Sequence, residues 1–122
     1  MKYLILMQVD PAVLEQLTPE QGKAIGDGHA AFIAQTKESG EFIGTQALAD
    51  PSQTKVVRSV AGTPQTSDGP FAEAKEYLGG FYLVDVEDEA RALELARLIP
   101  DSTIDGLALE VRPVMFSDFG DL

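Results

Sequence analysis

Two stretches of this chain, KYLILMQV at residues 2–9 and YLGGFYLVDV at 77–86, are apolar at odd and even positions alike. Successive side chains of a strand point to opposite faces, so strands of this kind ask to be covered on both sides. In the first, Tyr3, Ile5, Met7 and Val9 share one face while Leu4, Leu6 and Gln8 share the other. A sheet built from such strands needs helices on one face. If helices cover only that face, the second needs another chain, because left bare it would form a large apolar patch.

The sequence offers two helices. TPEQ at 18–21 reads as a helix start, with Thr18 able to cap, Pro19 in the first helical position and Gln21 closing a capping box. Gly40 is the natural stop. At 100° per residue Ile25, Gly28, His29, Phe32 and Thr36 fall on one stripe, which aims the single histidine at the sheet. Gly22, Gly26 and Gly28 each cost roughly 0.5–1 kcal/mol relative to alanine in a helix interior. They imply close backbone packing, room for a ligand, or a frayed first turn. The second helix is EDEARALELARLIP, 87–100, with Ala92, Leu93, Ala96 and Ile99 inward and Pro100 ending it. EFIGTQAL at 41–48 and TKVVRSV at 54–60 read as two strands joined through the Asp-Pro turn of ADPSQ, hence as a hairpin. LALEVRPVM, 107–115, is the last strand.

The resulting order is strand, helix, two strands, strand, helix, strand. It predicts an α+β fold, a ferredoxin-like antiparallel sheet with two helices on one face, in a single domain spanning 1–122. The uncovered face predicts a homodimer whose sheets meet face to face.

Charge narrows the partners. Nine Lys and Arg against 20 Asp and Glu give a net charge of −11, which repels nucleic-acid phosphates and anionic membranes. No cysteine is present, so disulfides and thiolate chemistry are excluded. The opening apolar run is too short to span a bilayer and meets Asp10-Pro11 where a signal peptide would carry a small-residue cleavage site, so a cytoplasmic protein is expected. One histidine without cysteine makes a metal site unexpected, and no phosphate-binding loop or other cofactor motif occurs.

The densest local signal is SDGPFAEAKEYLGG, 67–80. Asp68 can hold an Asx-type turn, Gly69 allows a conformation closed to other residues, and Pro70 fixes the next φ, so the turn is stiff. Gly79 and Gly80 strip side chains from a strand start, which suits a bulge or the close approach of a ligand or another backbone. At these residues the chain resembles the YCII-related family, in its subgroup named for the DGPF motif. The resemblance runs from the opening strand through the helix carrying His29, Asp68 to Phe71, Asp88 to Ala90 and the closing EVRPV at 110–114. It implies a dimeric α+β barrel, a fold whose other members include cofactorless oxygenases and lactone isomerases. In the related proteins a His and Asp pair is proposed as an active site. The helix histidine matches His29, and Asp68 is assigned as its acidic partner by inference.

Each candidate carries a functional and a structural reading. His29, near pKa 6.5 when unperturbed, suits a general base if a carboxylate fixes its tautomer, and equally suits a hydrogen-bonded core histidine. Asp68 is either that carboxylate or a turn former. Glu73, Lys75 and Glu76 either bind a polar ligand or close a charge network under the loop. Arg58 and Arg112 suit an anionic substrate, or pair with Glu110 across the sheet, the pairing expected first for Arg112. The acidic end FSDFGDL, with Phe116 and Phe119, reads as a tail or as a cover for a partner subunit. Two functions remain: a cofactor-independent acid/base enzyme acting on an unknown small molecule between sheet and first helix, and a non-enzymatic regulatory dimer with a protein partner. The second is implied by the family's frequent association with extracytoplasmic-function sigma factors.

Overall fold

The computed structural model describes residues 1–72 and 74–118. Its strands are β1 (Lys2–Val9), β2 (Phe42–Ala47), β3 (Lys55–Val60), β4 (Thr63–Asp68), β5 (Tyr77–Asp85) and β6 (Leu107–Pro113), and its helices α1 (Pro11–Glu15), α2 (Pro19–Ser39) and α3 (Glu89–Leu98). Strands β2, β5, β1 and β6 form, in that order, one antiparallel sheet, while β3 and β4 pair separately. Two βαβ halves that place their strands in this order are the ferredoxin-like arrangement. The β3–β4 hairpin is an insertion between β2 and β5.

Helices α2 and α3 cover one face. Tyr3 and Ile5 of β1, Tyr82 and Val84 of β5, Phe32 of α2 and Ala92, Leu95 and Ala96 of α3 form the buried core. The Thr18–Gln21 capping box starts α2 as its sequence requires, and Gly40 ends it with φ of 80°. Across β2 and α3, Arg91 donates Nε to Glu41 Oε2 (2.9 Å) and its Nη2 to Oε1 (2.8 Å), a two-point clasp. That bond, foremost, holds the Glu41 carboxyl below the usual carboxylate range. On the helix-free face the register brings Leu4 beside Leu83 and Leu6 beside Phe81. These four are only partly buried.

Two sequence expectations are corrected. The 41–48 and 54–60 strands do not pair: Asp50 caps a 3-10 turn at Pro51–Gln53 that carries the chain away from the sheet. β3 instead turns back at Ala61 and Gly62, both with positive φ, into TPQTSD, whose polar residues and Pro64 hide it from strand recognition. Leu93, expected inward, is 38% exposed, and Leu95 takes its place in the core. The inward stripe is 92, 95, 96 and 99, from which Leu93 is rotated away.

The glycine alternatives also resolve. A Cβ on Gly28 would run into the Pro100 ring, whereas Gly22 and Gly26 face open space. In β5 a Cβ on Gly80 would meet the Gln46 carbonyl, with Ala47 Cα at 3.2 Å. The bare backbone at Gly80 thus accommodates a neighbouring strand. One at Gly79 would meet Val9 Cγ2 at 2.7 Å. Phe116 is exposed, and Phe119 lies outside the described residues. No helix among the described residues is long and apolar enough to cross a membrane.

Candidate functional site

His29 projects from α2 towards the sheet and uses both ring nitrogens. Nε2 lies 2.9 Å from Asp101 Oδ1, and Nδ1 lies 2.7 Å from the Tyr82 hydroxyl. The three side chains come from three elements: α2, the centre of β5, and the 3-10 turn Pro100–Thr103 that follows α3. Their meeting depends on a glycine. Because Gly28 has no side chain, Pro100 packs directly on α2, and that contact sets the next residue, Asp101, beside the residue after Gly28.

Burial fixes the proton arrangement. Asp101 is only 5% exposed, and a carboxylate at that depth is costly to leave without a donor, so it takes a hydrogen bond from Nε2–H. Neutral imidazole then has Nδ1 as an acceptor, and Tyr82 donates its hydroxyl proton there. Burial, with Asp101's charge adding to it, pushes the Tyr82 hydroxyl up to about 12. Tyrosine therefore stays protonated at neutral pH and serves as the donor. The rings of His29 and Tyr82 stack with centroids 5.8 Å apart, and Phe32 braces Tyr82 from behind at 4.6 Å. Asp101, His29 and Tyr82 thus form a line of hydrogen bonds in which one proton shift can be passed from end to end.

The line borders a cleft of about 320 Å³ between the sheet and α2, walled by Met7, Val9, Ile33, Thr45, Gln46, Ala47 and Gly79 together with His29, Tyr82 and Asp101. Thr45 spends its hydroxyl proton on the Phe81 carbonyl (2.8 Å).

The sequence candidates fall elsewhere. Asp68 is not brought to His29: it ends β4, is 87% exposed, and forms an ion pair with Lys55 of the same hairpin. The reason is topological, since the DGPF turn belongs to the inserted hairpin and the histidine to the main sheet layer. Arg58 stands opposite Gln65 on that hairpin. Lys75 lies 3.6 Å from Asp10, the residue that caps α1. Glu76 borders a separate groove with Pro11, Asp50, Pro51, Pro70 and Tyr77. Glu73 lies outside the described residues. Glu110 accepts a hydrogen bond from Gln8 (3.0 Å), and Arg112 stands in register with Leu4. Among the described residues no three acidic or histidine side chains converge as metal ligands.

Asp101 and Tyr82 were missed. A signal existed for Tyr82, because a tyrosine inside a two-faced strand must find a hydrogen-bond partner, and the helix stripe supplies one imidazole. Asp101 carried none, as an acid after a helix-ending proline ordinarily faces water.

Fold and site together define a ferredoxin-like α+β protein with a histidine held between a buried carboxylate and a buried phenol. The family model for the YCII-related domain matches residues 1–116, and the chain belongs to that family. An uncharacterized protein of Rhizobium meliloti (strain 1021) is 30% identical over 122 residues, covering 100% of this chain and 98% of the relative.

Proposed function

We propose that this protein binds a small molecule in the cleft between the sheet and α2 and exchanges a proton with it through Tyr82 and His29. The observation that carries the reading is the Asp101–His29–Tyr82 line, joined at 2.9 and 2.7 Å on the wall of that cleft. Both imidazole nitrogens are engaged, so the ligand's proton enters at the Tyr82 oxygen. As that oxygen takes the proton, the Tyr82 hydroxyl gives its own to Nδ1, and Asp101 stabilises the imidazolium that results. The reverse transfer returns a proton to the product. A free tyrosinate is never required, which matters because the hydroxyl is held near 12.

The test is nitrogen-15 NMR of His29. The Nε2–H tautomer is expected in the native protein. Asp101→Asn should redistribute the tautomers, while Asp68→Asn leaves them alone. A histidine that ignores Asp101→Asn defeats the reading.

The apolar quartet on the helix-free face supports a homodimer formed through that face, placing both clefts on the outside of the paired sheets. Sedimentation at micromolar concentration should give a dimer, and Leu6→Glu a monomer. A second reading, a non-enzymatic dimer that binds a protein, is favoured by the apolar side chains left bare around the hairpin, Val57 at 68% and Phe71 at 77% exposure. Retention of a protein partner after Val57→Ser with Phe71→Ser would count against it.

A further inference from the structure

Resting on the proton-exchange reading above, we infer that the cleft selects an uncharged, largely apolar ligand with one hydrogen-bonding group, and rejects carboxylates and phosphates. The walls carry the argument. Met7, Val9, Ile33 and Ala47 are apolar, Thr45 has its hydroxyl proton committed to a main-chain carbonyl, Gln46 is polar but uncharged, and the acidic side chain on the lining is Asp101. Among the described residues, no lysine or arginine lines the cleft to compensate an anion.

A bound anion would therefore lose its hydration against an apolar wall and also face a buried carboxylate of its own sign. A neutral ligand meets neither penalty, and its one polar group finds the Tyr82 hydroxyl, which still has acceptor capacity while donating to His29. The proton bookkeeping agrees. Transfer from a neutral weak acid, such as a phenol, an enol or a carbon acid beside a carbonyl, leaves the ligand anionic and the imidazole cationic, so the site as a whole keeps its charge. Starting from a carboxylate, the same step would build a second negative charge on the ligand beside Asp101. The volume of about 320 Å³ is at the small end for ligand cavities, roughly 300–1,000 Å³, which suits a single ring with short substituents.

Benzamide and benzoate share a shape and differ in charge, so they isolate the claim. The full chain would be titrated with each near neutral pH, following the amide resonances of Thr45 and Gly79 on the cleft wall. Benzamide should bind roughly tenfold or more tightly than benzoate. Asp101→Asn should narrow the ratio, and Ala47→Lys, adding a cation to an exposed wall residue, should raise benzoate binding several-fold relative to benzamide. Equal or tighter binding of benzoate by the native protein overturns the inference, as does failure of both probes to shift the cleft resonances at millimolar concentration. Neither outcome alters the His29 tautomer response to Asp101→Asn, so the charge preference and the proton-exchange reading fail separately.

Discussion

The sheet-and-helix layer and the β3–β4 hairpin each hold an acid beside a base, and they do different things with it. In the layer Asp101 is 5% exposed and its partner His29 is fixed by a second hydrogen bond to Tyr82. On the hairpin Asp68 and Lys55 are 87% and 64% exposed. An ion pair in water is worth about 0–1 kcal/mol, because solvent competes for both charges and holding two long side chains costs entropy. A buried carboxylate has no such competitor and is costly to leave unpaired, so it constrains whatever stands next to it. Residue type alone did not separate the two pairs. Depth did.

The largest expected contrast lies in packing. Phe32→Ala removes a fully buried ring that touches Tyr82 and should cost about 3–5 kcal/mol, while Val57→Ala on the hairpin should stay within about 0.5 kcal/mol. Chemical denaturation of both variants measures the difference, and equal losses would show that the hairpin belongs to the same cooperative core.

Glycines sharpen the comparison next. Gly80→Val forces a side chain against the β2 main chain and should cost about 2–4 kcal/mol. Gly69→Ala meets no atom within 4 Å and pays only for a φ of +86°, about 1–2 kcal/mol. Gly28→Ala is the revealing member of the set. Alanine improves helix propensity by up to about 1 kcal/mol, yet it collides with Pro100. The variant should remain folded with the His29–Asp101 hydrogen bond weakened, read as a changed imidazole tautomer population in nitrogen-15 NMR. An unchanged signal would mean that Asp101 is positioned by something other than this contact.

Alkaline titration probes the far end of the line. Tyr82 is raised from 10.0 to about 12 in the folded protein. A raised value means that the folded state keeps its proton longer than the unfolded chain. The stability tied to it is complete below pH 10 and is lost as pH rises through about 12. Melting measured across that window should fall less steeply in Tyr82→Phe than in the native protein. The smallest effect is expected at the exposed pair, where Asp68→Asn should change stability by less than about 1 kcal/mol at neutral pH, and less still in high salt. A larger loss would give the DGPF turn a structural weight that its exposure denies.

The α+β class, the start and stop of α2, the inward stripe carrying His29 and the two-faced character of β1 and β5 were all legible in the sequence. Each rests on contacts between near neighbours or on a repeating period: the Thr18–Gln21 capping box spans three residues, and the face of a strand follows from parity alone. The β3–β4 pairing was not legible, because its second strand is polar and contains Pro64, so no apolar alternation marks it.

His29 was legible as a candidate, and its acidic partner was not. Asp68 drew attention because a stiff turn is visible locally, but whether two side chains meet depends on how separate elements pack. Asp101 stands 72 positions from His29 and reaches it only because α3 lies on the same sheet face as α2 and because Pro100 fills the space left by Gly28. The sequence by itself determined which faces would be buried, since that follows from side-chain chemistry and period. Only the tertiary structure decided which carboxylate would share the histidine's burial, because that is a sum of long-range packing choices with no local signature.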